Sequence, residues 1–102
     1  WIAFAVQTKG RLVIDEGAQK AIEDHGGSLL AVGVVEQYGE FNKGDAVEII
    51  NENSDLVGRG LVAIDSSLLK EYLRKKESGI DSTKTSEIIH RDELVILIDK
   101  HN

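Results

Sequence analysis

The sequence has no cysteine, no methionine and only five aromatic residues among its 102 residues. Without cysteine there are no disulfides and no thiolate metal ligands, which fits a reducing cytoplasm. No apolar run is long enough to cross a bilayer, and no signal sequence opens the chain, so we expect a cytoplasmic location and no membrane partner. Few aromatic side chains also leave few platforms on which nucleic-acid bases can stack.

The lack of methionine bears on how the chain arises. Translation starts with methionine, which is normally removed only before a small residue, whereas this chain starts with Trp1. We therefore expect a fragment of a longer protein. A short natural protein from which a tag has been cleaved is the alternative.

The charge of the chain is acidic, with 18 Asp and Glu against 12 Lys and Arg, a formal net charge of −6. This balance disfavours non-specific binding to nucleic acid, although it leaves a local basic face possible. The 41% hydrophobic and 29% charged composition is that of a globular protein, and the length predicts one domain with a single core.

Three apolar runs rich in Val, Ile and Leu form the clearest pattern, at residues 29–38, 46–50 and 56–64. Such composition favours strands. The segments between them, 39–45 and 51–55, are rich in Gly, Asn and Asp, which favour tight turns. The pattern predicts an antiparallel meander of three strands.

Two helices flank this meander in the prediction. After a short strand at residues 11–14, Asp15 is expected to cap a first helix that ends at Gly26-Gly27. Asp65 or Ser66 is expected to cap a second helix that runs to about Lys76. The polar segment 77–86 is predicted to be a loop.

The last apolar run, residues 94–98, consists of five aliphatic residues, the pattern of a strand buried on both faces. We expect it to lie between other strands and to close the meander into a small mixed barrel. The predicted fold class is therefore mainly β with two helices, an α+β fold. Residues 1–6 are apolar and are interpreted as a strand or an interdomain contact.

Several catalytic and metal-binding motifs fail on inspection. His90-Arg91-Asp92 matches the HRD triplet of protein kinases, but the required Asn five residues after the Asp is Leu97. The GxGxxA pattern that starts at Gly58 falls inside a predicted strand and not between a strand and a helix. The three histidines lack partners at metal-ligand spacing, so we predict no metal site and no catalytic residue.

Residues 15–21, 27–35 and 39–45 together resemble a PUA domain. The opening Trp1-Ile2-Ala3 and the closing EIIHRDELV of residues 87–95 are more specifically similar to the C-terminal PUA domain of the glutamate 5-kinase (γ-glutamyl kinase) family. The resemblance covers essentially the whole chain. It implies a PUA-like pseudobarrel over residues 1–102 and an upstream amino-acid-kinase domain that is absent here.

The same resemblance implies what the parent protein does. It would use ATP and Mg²⁺ to phosphorylate the γ-carboxylate of glutamate, the first step of proline biosynthesis. Proline would inhibit it, and it would form a homo-oligomer. The fragment itself would need no cofactor and would carry out no catalysis.

The resemblance also suggests two roles for the fragment. Other PUA domains bind structured RNA in a groove whose matching positions here are His25, Gly26, Gly27, Ser28, His90 and Arg91. The favoured role is a regulatory or interaction module docked on its own kinase domain, with contacts expected from Trp1, Ile2 and Phe4. The alternative for the six groove positions is that they bind no ligand. They would then only end a helix and begin a well-hydrated strand.

Overall fold

The computed structural model describes residues 7–77 and 86–97. Its elements in chain order are β1 (Gly10–Ile14), α1 (Glu16–His25), β2 (Leu29–Leu30), the 3-10 turn η1 (Ala31–Gly33), β3 (Val34–Gly39), β4 (Ala46–Asn51), β5 (Leu56–Leu61), α2 (Ser66–Glu77), β6 (Glu87–Ile89), the 3-10 turn η2 (Arg91–Glu93) and β7 (Leu94–Ile96). The predicted contact segment 1–6 and most of the predicted loop 77–86 lie outside the described residues.

The main sheet has five strands in the order β3-β1-β4-β5-β7. Strand β1 is antiparallel to β3 and parallel to β4, whereas β4–β5 and β5–β7 are antiparallel. The predicted meander is therefore correct for the β4–β5 hairpin and wrong for β3–β4, because β1 lies between those two strands. Gly10 allows this insertion, since a Cβ there would lie 2.6 Å from the carbonyl oxygen of Tyr38.

The first predicted apolar run, residues 29–38, is divided into β2, η1 and β3. Strand β2 leaves the main sheet and forms a second, two-stranded sheet with β6, in which Leu29 pairs with Ile89. The turn η1 is held by a hydrogen bond from the Asp15 N–H to the Gly33 carbonyl, at 3.0 Å. These tertiary contacts outweigh the strand preference of the run.

Strand β7 is shorter and less buried than predicted. It pairs with β5, so its predicted return to the sheet is correct, but within the described residues it is an edge strand with half-buried side chains. Leu94 and Ile96 pack against the core, whereas Val95 lies opposite Arg59 on the other face. The expected burial on both faces is therefore wrong, because one face meets the core and the other meets polar neighbours.

The core lies between the sheets and the two helices. Fully buried side chains from β1, β4 and β5, such as Leu12, Ile49 and Val57, meet Leu69 of α2. Such burial of aliphatic side chains is the main source of stability in a domain of this size. The predicted α+β class, a small mixed β-barrel with two helices, is confirmed.

The ends of the helices follow the sequence signals. The Ala18 N–H donates to Asp15 Oδ1 at 2.8 Å, and α1 ends at Gly26 with a φ of 62°. The Leu68 N–H donates to Asp65 Oδ1 at 2.8 Å. Asp65 is thus the cap of α2, whereas the Ser66 hydroxyl accepts a hydrogen bond from the buried Phe41 N–H.

Candidate functional site

The last residue of α1, His25, and the segment 26–28 that follows it make up four of the six predicted RNA-binding residues. The Gly26 N–H and the Gly27 N–H both donate to the carbonyl of Ala21, the second bond at 3.4 Å. This pattern stops the helix and turns the chain toward β2. Because both glycine N–H groups already have an acceptor, they are less open to a phosphate than the sequence suggested.

The other two predicted residues lie beside this segment. The Arg91 N–H donates to Ser28 Oγ at 3.0 Å, so η2 is hydrogen-bonded to the residue that precedes β2. His90 Nδ1 accepts from the Asp92 N–H at 3.1 Å and caps η2. The six residues predicted from the sequence therefore lie in two segments, which the Arg91–Ser28 hydrogen bond and the pairing of β2 with β6 hold side by side.

Charged side chains of both signs surround these two segments. His25, His90 and Arg91 are exposed, which would suit an anionic ligand. Asp24 is exposed beside His25, and Asp92 Oδ2 lies 3.5 Å from His90 Nδ1. Carboxylates in these positions offset the positive charge that a polyphosphate would meet.

An apolar groove that the sequence analysis missed lies between α1 and η1. It has a volume of about 290 Å³ and is lined by Asp15, Gly17, Ala18, Ala21, Ser28, Leu30, Val32 and Gly33. Gly33 lets η1 lie close to α1, since a Cβ at this position would clash with the Cβ of Ala18. The groove was missed because η1 was predicted as part of a strand.

The arrangement of titratable groups gives little support for chemistry. Within residues 7–77 and 86–97, no three His, Asp or Glu side chains form a group that would hold a metal ion. The Tyr38 hydroxyl donates to Glu36 Oε2 at 2.7 Å, and this bond raises the pKa of Tyr38 above its ordinary value. The Tyr38 side chain lies on the exposed surface of β3.

The described residues contain no candidate for a membrane-spanning helix. Neither α1 nor α2 of the described chain is long and apolar enough to cross a bilayer.

The strand order, the two helices and the turn after α1 agree with one known family. The family described as "PUA domain" matches residues 10–84 of the chain. The chain belongs to the PUA domain family. The resemblance of the sequence to this family is thus confirmed.

The relatives of this PUA domain include long enzymes. The glutamate 5-kinase of Prochlorococcus marinus subsp. pastoris is 43% identical over 96 residues, which make up 94% of this chain and 26% of that protein. The glutamate 5-kinase of Alcanivorax borkumensis is 40% identical over 101 residues and is covered to 27%. The chain spans about a quarter of the length of the curated relatives that it matches.

Solved structures share the fold. A PUA domain from Aeropyrum pernix, crystallised as a tartrate complex, superimposes with a TM-score of 0.72 at 29% identity, over 90% of this chain and 45% of that one.

The hydrogen bond between Ser28 and Arg91 gives a first testable prediction. The substitution Ser28→Ala should lower the free energy of unfolding by about 1 kcal/mol, because the Arg91 N–H loses its acceptor. The measurement is urea unfolding followed by circular dichroism. Ser67→Ala, at an exposed serine of α2, is the control and should change stability by less than about 0.5 kcal/mol. Equal effects of the two substitutions would mean that Ser28 does not fasten η2.

Proposed function

We propose that this PUA domain is a non-catalytic regulatory and interaction module of a glutamate 5-kinase. The observation that carries the proposal is the unequal coverage of the relatives: they match 94% of this chain, but this chain matches only 26% of them. The remaining three quarters of such an enzyme would contain the phosphotransfer machinery. The role left for the PUA domain is to contact that machinery and to modify its behaviour.

The parent enzyme would transfer a phosphoryl group from ATP to L-glutamate and form L-glutamyl 5-phosphate, the first step of proline biosynthesis. Mg²⁺ would be held with ATP in the upstream amino-acid-kinase domain, since phosphoryl transfer needs a cation to neutralise charge on the phosphates. The parent would work in the cytoplasm as a homo-oligomer. Trp1, Ile2 and Phe4 remain the proposed contacts at the junction between the two domains.

The surface of the domain supports a docking role. Val32 and Val35 are 45% and 40% exposed. Val32 lines the apolar groove against α1, and Val35 lines a second depression between β3 and α2. Exposed apolar side chains grouped in one region mark interaction surfaces more often than isolated ones do.

The test compares the parent enzyme with and without this PUA domain. We expect the shortened enzyme to keep glutamate-dependent ATP consumption and to lose part of its inhibition by proline, because the module contacts the catalytic part without supplying reacting groups. Formation of L-glutamyl 5-phosphate, trapped as the hydroxamate, is the measurement. Unchanged activity together with unchanged proline inhibition would contradict the regulatory role.

A second candidate function is recognition of structured RNA, and the bond between Ser28 and Arg91 is the observation that favours it. This bond places Arg91 beside the glycine segment after α1, and phosphate contacts from arginine are common in RNA recognition. The fold is also shared, at a TM-score of 0.64 and 18% identity over 91% of this chain and 25% of that one, with an H/ACA ribonucleoprotein bound to a substrate RNA. At that identity the likeness concerns the fold alone.

Titration of the isotopically labelled chain with a structured RNA at low salt separates the two functions. RNA binding predicts that amide signals of residues 26–28 and 91 shift and that affinity falls steeply with salt. Signals that stay in place at low salt would rule out this candidate and leave the docking role.

A further inference from the structure

We propose that the catalytic part of the parent chain docks on an apolar surface centred on η1, which we call the η1 seam and define as Leu30, Val32, Val35 and Leu73. This inference rests on the proposed function and names the surface that performs it. It adds a second contact surface to the proposed junction contacts at Trp1, Ile2 and Phe4.

The distribution of exposed apolar side chains points to this surface. Within residues 7–77 and 86–97, five large hydrophobic side chains are exposed. Two of them, Val32 and Val35, lie three residues apart in η1 and at the start of β3, and Val35 shares a depression with Leu73. Tyr38 lines a different depression beside Arg11, and Leu56 and Leu68 lie on β5 and α2. Val32 and Val35 are therefore the exposed apolar side chains that lie together with the partly exposed Leu30 and Leu73.

The seam has a depression on each side. Leu30 and Val32 line the groove against α1 described above. Val35 and Leu73 line a second depression of about 270 Å³ between β3 and α2, together with Glu36, Gln37, Lys70 and Arg74. Depressions on both sides of the seam suit the insertion of apolar side chains from a partner, since anchor residues of interfaces fill such sites.

The backbone of the seam is held in place before any partner arrives. Lys76 Nζ donates to the carbonyl of Val32 at 2.8 Å and to the carbonyl of Val34 at 3.0 Å, which links the end of α2 to η1. On the other side, Asp15 binds the backbone of Gly33. A surface fixed in this way loses little conformational entropy on binding.

The charges around the seam indicate the chemistry of the partner. Although the chain has a net charge of −6, three basic residues of α2 lie at one border of the seam. Lys70 and Arg74 line the second depression, and Lys76 binds the backbone of Val32 and Val34. The complementary surface is therefore apolar at its centre and acidic at the side that meets α2.

The length of the relatives identifies the occupant. About three quarters of a matched glutamate 5-kinase lies outside the region that this chain matches. A tethered surface of that size is present at high effective concentration, so it occupies the seam before an unlinked protein does.

The test uses the full parent enzyme with two charge variants. The seam variant carries Val32→Glu and Val35→Glu, and the matched control carries Leu56→Glu and Leu68→Glu, so both add two carboxylates at exposed positions. Differential scanning calorimetry follows the unfolding of each enzyme, and the same substitutions in the 102-residue chain report whether the isolated domain still folds.

For the wild type and the control we expect the domain to unfold at a higher temperature in the parent than alone. In the seam variant this difference should be lost, because a carboxylate cannot enter the apolar partner surface without desolvation. If all three parents keep the difference equally, the seam is not the docking surface, although docking itself stands. If the wild-type domain unfolds at the same temperature in both settings, docking and the proposed function fail together.

Discussion

Replacing Gly58 with alanine is expected to lower the free energy of unfolding by about 3 kcal/mol, because overpacking against backbone cannot be relieved by a side-chain rotation. A Cβ at Gly58 would lie 2.3 Å from the carbonyl oxygen of Val95 and 3.3 Å from the Cα of Ile96. Strand β7 would have to move away from β5 and give up part of its pairing, including the bond from the Leu97 N–H to the Val57 carbonyl at 2.9 Å.

The control for this substitution is Gly17→Ala in α1. The nearest atom to a Cβ at Gly17 is Asp15 Oδ1 at 3.5 Å, an ordinary contact. Alanine in a helix is favoured over glycine by about 0.5–1 kcal/mol, so this variant should be slightly more stable than the wild type. Urea unfolding measures both variants. A Gly58→Ala protein as stable as the wild type would show that β7 does not approach β5 so closely.

Truncating Ile49 to alanine should cost about 2–5 kcal/mol, the range for removing a large aliphatic side chain from a core. Ile49 lies on the central strand β4, opposite Leu12 of β1 and Gly58 of β5, and its side chain is fully buried. Neighbours on both sides are fixed by strand pairing, so the site cannot collapse around the smaller side chain.

The adjacent residue supplies the matched control. Ile50 belongs to the same strand, points to the opposite face and is partly exposed. The same truncation, Ile50→Ala, should cost about half as much or less, because fewer buried contacts are removed. If the midpoints of urea unfolding fall equally for the two variants, the core does not lie on the Ile49 face of the sheet.

Local signals predicted the local parts of this fold. Asp15 and Asp65 cap the two helices, as short polar side chains before an amphipathic stretch do. Gly26 ends α1 with a positive φ, which glycine adopts without strain. The hairpin of β4 and β5 follows from the Asn- and Asp-rich segment between them, where Asn51 Oδ1 accepts from the N–H groups of Asn53 and Asp55.

The sequence pattern did not predict which strands pair when they are far apart in the chain. The insertion of β1 between β3 and β4 joins residues about 37 positions apart in parallel, such as Gly10 and Val47, and no turn motif specifies such a pairing. The apolar run 94–98 was predicted to be buried on both faces, yet among residues 7–77 and 86–97 the strand β7 pairs with β5 alone and its side chains are half-buried. A run of aliphatic residues shows that a segment is apolar, but it does not show how many strands lie beside it.

The candidate sites also differ in how far the sequence could predict them. The residues 25–28 and 90–91 were selected through family resemblance, and the structure brings Ser28 and Arg91 into contact. The η1 seam was not predicted, because its residues come from β2, η1, β3 and α2, and α2 meets the other three only in the fold. Lys76 illustrates the reason: its position near the helix end was clear from the sequence, but its bonds to the carbonyls of Val32 and Val34 were not.

Hydrogen–deuterium exchange of the full parent glutamate 5-kinase, compared with the 102-residue chain alone, tests most directly whether this domain serves a neighbouring catalytic part. The account predicts slower exchange in the parent at residues 30–35 and in the last turns of α2, with little change near Leu56. Identical exchange rates in the parent and in the isolated chain would contradict it.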